Sequence, residues 1–130
     1  MPFLGECMKY SHYGIPTSEV KENESYVEVG DFKFYTTPYE ANKYHIMWHR
    51  FEEGHGLPEI ITKVPHIAFT VENLDKEIKG KKVILGPYYP LEGYRVAMFE
   101  EDGVLIELIE TKLSDEEISK LEKEKITDLP

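Results

Sequence analysis

Cysteine is almost missing from this chain of 130 residues: Cys7 stands alone, so no internal disulfide can form. No apolar run approaches the ~20 residues that a bilayer-spanning helix needs, which argues against a membrane partner. The opening MPFLGECMKYSH has neither the basic start nor the apolar stretch of a signal peptide, so the cytoplasm is the expected compartment. Basic charge is scarce as well. Fifteen Lys and Arg against 25 Asp and Glu leave a net charge of −10. A nucleic-acid partner needs a concentrated basic face, so that class is set aside. Neither GECM nor GPYYP matches a glycine-framed nucleophile elbow or a phosphate-cradling loop, so a nucleotide-dependent enzyme is not expected.

What is present is enough apolar material, 41% with 12% aromatic, to fill one core. The chain reads as a single domain over residues 1–130. Strands are expected over Cys7–Ile15, Tyr26–Gly30, Asp31–Thr37 and Lys43–Phe51, with Gly30-Asp31 as a tight turn. EEGHGLPEIITK, with two glycines and Pro58, reads as a connector. The second half opens on the strand PHIAFTV. Asn73 then caps a short helix in which Leu74 and Ile78 pair at i,i+4. Strands Lys81–Gly86, Tyr94–Glu100 and Val104–Glu110 follow, with PYYPLEG as a loop and EDG as a hairpin turn. Ser114 and Glu117 have capping-box spacing and start a helix over about 114–126.

The two halves begin alike, SHYGIPT and PHIAFTV, each with histidine in second place. Alternation along a strand gives His66, Ala68 and Thr70 one face, and gives His12 a face with Tyr10 and Gly14. If the halves are related by a pseudo-twofold, His12 and His66 face each other across a shared hollow. In VLIELIE, Leu105, Glu107 and Ile109 share a face. A carboxylate between apolar neighbours calls for a cation, hydrogen bonds or a metal. Arg95 is one cationic partner to consider. Two imidazoles and a carboxylate equally suit a divalent ion such as zinc, nickel, iron or manganese.

HIAFTVENLDKEI followed by GYRVAMFEEDGVLIELIE resembles the vicinal oxygen chelate superfamily, which comprises the glyoxalases, bleomycin-resistance proteins and extradiol dioxygenases. The resemblance covers Val64–Glu110 well; the first half matches only in SHYGIPT and in length. It implies an α+β fold of two βαβββ modules forming a cup-shaped mixed sheet. Module 1 would cover about residues 7–53, with its helix shortened or absent, and module 2 about 64–111. It further implies a central divalent ion chelating adjacent oxygens of a small-molecule substrate, in a lyase, isomerase or dioxygenase. Its ligand positions fall on His12, His66 and Glu107, with Glu107 also the catalytic proton carrier. Family members that bind metal usually add a ligand from the last strand of module 1, and there the aligned position is Met47, a poor ligand for a harder ion. His45 and His49 lie two residues either side of Met47 and share its face, so His49 is the fourth ligand expected if one of them reaches the ion. Otherwise the site has three ligands and open positions. Tyr10, His45 and Met47 are the expected pocket residues. The alternative is a metal-free, drug-sequestering binding protein of the same fold. A homodimer is the expected assembly.

Overall fold

The computed structural model describes residues 8–118, 120 and 121. Its elements are β1 (Met8–Thr17), β2 (Ser25–Val29), β3 (Phe32–Thr36), β4 (Ile46–Arg50), α1 (Glu59–Lys63), β5 (His66–Val71), α2 (Leu74–Glu77), β6 (Lys82–Leu91), β7 (Tyr94–Glu101) and β8 (Val104–Thr111). A single 3₁₀ turn, Tyr39–Ala41, precedes β4, and a helix begins at residue 115 after the Ser114–Glu117 capping pair closes reciprocally. The remainder of the helix expected over 114–126, residues 119 and 122–130, lies outside the described residues, as does Cys7. Among the described residues no helix is long and apolar enough to cross a membrane.

All eight strands join one sheet in the order β2-β3-β4-β1-β5-β8-β7-β6. The order is a palindrome of the two halves. In each half the first strand runs parallel to the last, β1 with β4 and β5 with β8, and the halves meet where β1 pairs antiparallel with β5. The mixed sheet curls into a cup, and no helix stands between β1 and β2. The α+β architecture therefore agrees with the expectation, including the missing helix of the first half.

Alternation of side chains sorts the core onto the two faces of the sheet. Phe69, Val71, Ala97, Phe99 and Leu108 pack on one side beneath α2, whose Leu74 is fully buried. Asn73 caps that helix by accepting from the Lys76 amide at 3.1 Å. Leu105, Met98 and Leu85 face into the cup and meet Leu57 and Ile61 from the segment around α1. That segment was expected to be a plain connector. Leu57, just ahead of the N-cap Pro58, and Ile61 within α1 are the apolar side chains it buries there.

Two further expectations are corrected. PYYPLEG is no loop: β6 runs on to Leu91. It is an edge strand, and its pairing with β7 shifts register between Leu85 and Tyr88 and again before Leu91, so Pro87 and Pro90 are accommodated where the ladder is irregular. Strand β4 starts at Ile46, not Lys43, because His45 sits at φ 58° in a turn whose Asn42 side chain holds the Tyr44 and Ile46 amides.

Candidate metal centre

Three imidazoles and a carboxylate converge at the bottom of the cup. His12 comes from β1, His49 from β4, His66 from β5 and Glu107 from β8, the four central strands. All four side chains are buried, His49 to 7% exposure and Glu107 to 9%. One nitrogen from each histidine lies within 4.8 Å of the others, a separation that lets three donors share one ion. The His49 and His66 rings stack at 5.2 Å, and His12 meets His66 edge-on at 5.5 Å.

Glu107 Oε1 lies 3.1 Å from His12 Nε2 and 3.4 Å from His66 Nε2. Burial pushes its carboxyl upward, but the hydrogen bonds and charge of His12 and then His66 outweigh burial and hold it well below the usual carboxylate range. Arg95 is not its counter-ion: that guanidinium binds Asp75 at 2.9 Å and approaches Glu110 at 3.5 Å. His49 stands apart. Neither of its ring nitrogens has a hydrogen-bond partner, and burial, reinforced by His66 and His12, holds its pKa well below the ordinary value. A neutral imidazole with a free lone pair is the form that ligates a metal. Buried polar groups are normally satisfied, so an orphaned ring among other donors marks a place where a ligand atom belongs.

Gly14 opens that place. A Cβ there would overlap the His66 ring and come within 2.7 Å of His49 Nε2. Only a glycine lets both rings lie across β1. This also explains the fourth position. Met47 pairs with Gly14 as Glu107 pairs with Ala68, so the spacing argument for Met47 follows the register. The gap over Gly14 nevertheless admits His49, two residues on, while Met47 packs with Tyr39 and Ile118 in the pocket wall.

The centre opens into a cavity of about 470 Å³ whose walls include Phe34, Phe51, Leu85, Tyr88 and Met98. Of the expected pocket residues, Met47 lines it. Tyr10 does not: the register shifts between Tyr10 and His12, which breaks their shared face, and Tyr10 is left 47% exposed with its hydroxyl donating to the Tyr44 carbonyl. His45 does not line it either, because its left-handed turn directs Nδ1 to the Ser11 carbonyl at 2.9 Å. Tyr88 belongs to PYYPLEG, the stretch expected to be a loop. It lies in the cavity wall, and burial followed by the charge of Glu107 raises its phenol above the ordinary value. The irregular ladder of β6 hid it, since no alternation pattern survives through Pro87 and Pro90.

No protein-family model matches the sequence, and no curated protein matches it. Among solved structures the chain is similar to the crystal structure of a hypothetical protein from Bacillus halodurans C-125, with a TM-score of 0.52 and 17% identity over 82% of this chain and 96% of that one. That likeness is one of fold alone. The fold is thus a cup-shaped eight-stranded sheet of two mirrored halves, and its centre is a buried three-histidine cluster close enough to hold a metal ion.

Proposed function

We propose that this chain is a metal-dependent enzyme of the vicinal oxygen chelate type, glyoxalase-like, acting on a small substrate with two adjacent oxygens. His12, His49, His66 and Glu107 would hold the ion. The observation that carries the reading is His49: an imidazole buried in the cavity wall with both nitrogens unpartnered, beside two other histidines whose donors lie within 4.8 Å. Three nitrogens and one oxygen suit zinc, nickel, iron or manganese. When bound, such an ion supplies Lewis-acid polarisation of a carbonyl oxygen.

The chain's own residues supply the rest. We assign to Glu107, which lies against His12 and His66, the exchange of a proton with the substrate. Tyr88, kept protonated by burial and by that carboxylate, offers a hydrogen bond to a substrate oxygen. The apolar walls exclude water from the bound molecule. Lyase, isomerase and dioxygenase are the reaction classes that the resemblance to the vicinal oxygen chelate superfamily implies.

Elemental analysis of the purified protein tests the reading. Wild type is expected to carry close to one divalent ion per chain, and His49→Ala and Glu107→Gln to carry much less. Equal metal content in all three would overturn it. Met47 in the cavity wall favours a second reading, a metal-free protein that sequesters a small molecule. That reading expects negligible metal together with thermal stabilisation by an organic ligand.

A further inference from the structure

The lining of the cavity is divided by chemistry. His12, His49, His66 and Glu107 gather at one place, and the remaining walls are mostly aromatic and aliphatic, with Asn23, Ser25 and Thr36 as neutral polar exceptions. Among the described residues no Lys or Arg lines it, and its carboxylates are Glu107 and Glu40. The arginines are engaged elsewhere: Arg50 with Glu24 and Glu52, Arg95 with Asp75 and Glu110. Away from the histidine end, an acidic group brought against these walls would shed its hydration with no Lys or Arg among the described residues to receive it. The same walls cost an uncharged ring nothing of that kind, and Phe34, Phe51 and Tyr88 supply faces and edges for it.

We infer that the cavity selects an uncharged, predominantly apolar molecule with an aromatic body, and discriminates against the same body bearing a carboxylate, sulfonate or phosphate. The inference rests on the functional reading only for the chelating end of the molecule. Selection against anions is a property of the lining.

Two fluorescent probes with a common body test it on the full-length protein: N-phenyl-1-naphthylamine, which is neutral, and 8-anilinonaphthalene-1-sulfonate. Titration in about 0.5 M NaCl shortens the screening length to roughly 4 Å, so that the overall negative charge of the molecule contributes little. The neutral probe is expected to bind tighter by a factor of about ten or more. Val27→Lys puts a cation in the lining, whereas Val20→Lys puts one on the surface at a residue that is 74% exposed. The first is expected to raise sulfonate affinity several-fold and the second to leave it unchanged. Equal affinity of the two probes for wild type, failure of the neutral probe to bind, or the same change in both lysine variants would overturn the inference. Repeating the titration with His49→Ala separates it from the metal reading: probe selectivity is expected to survive even when the metal is lost.

Discussion

In the metal-free protein His49 is a liability. Removing a buried polar ring from water with no replacement hydrogen bond costs about 1–3 kcal/mol, and both nitrogens of His49 are in that position. His49→Leu is therefore expected to stabilise protein stripped of metal by about 1–2 kcal/mol, read as a higher urea midpoint, while abolishing metal binding. A destabilised variant would mean that the ring has a structural partner. Gly14 acts from the opposite side. Gly14→Ala would force the His66 and His49 rings apart, so metal affinity is expected to fall by about 10–100-fold with cooperative unfolding retained; unchanged affinity would show that the rings do not need that gap. The convergence of His12, His66 and Glu107 was legible because each sits at an alternating strand position. His49 was legible only as a candidate, since the register pointed to Met47 and the space above a glycine cannot be read from spacing. Tyr10 was misplaced because a bulge leaves no mark in the alternation.

At the scale of elements, the segment between β1 and β2 contains neither helix nor strand, and a side-chain pair ties it down. Arg50 of β4 stacks over the Tyr35 ring at 4.0 Å and binds the Glu24 carboxylate, which also accepts from the Lys21 amide at 3.1 Å. Chiefly the hydrogen bond from Arg50 holds Glu24 below its ordinary pKa of 4.5. The sign follows from linkage: the folded form binds this proton more weakly than the unfolded form. The stabilisation is therefore complete above the ordinary carboxylate range and is lost as pH falls below it through the lower pKa that Glu24 has in the folded chain. Glu24→Gln is expected to lower the melting temperature at neutral pH and to reduce the loss of stability on acidification below about pH 4.5; identical acid profiles would contradict this. Strands β5, β7 and β8, apolar runs bounded by turn or polar residues, were readable to within a residue or two. The extension of β6 and the turn of α1 were not, because prolines signal an ending that an irregular edge strand need not obey, and because a single helical turn has no period to detect.

At the scale of the whole molecule, the mirrored strand order is what makes a centre possible. Each half contributes its first and last strands to the middle of the sheet, so four side chains distant in sequence end on four adjacent strands facing one hollow. The repeat of histidine near the head of each half announced that symmetry. What the sequence could not announce is the apolar cluster inside the cup where Leu57, Ile61, Leu85 and Met98 meet, because those contacts join segments with no common pattern. X-ray absorption spectroscopy at the zinc edge, on protein reconstituted with one equivalent of zinc and freed of excess, tests the central claim most directly. The account expects three imidazole nitrogens and a carboxylate oxygen at about 2.0–2.2 Å, falling to two imidazoles in His49→Ala. A spectrum without imidazole scattering, or a protein that retains no zinc at all, would contradict it.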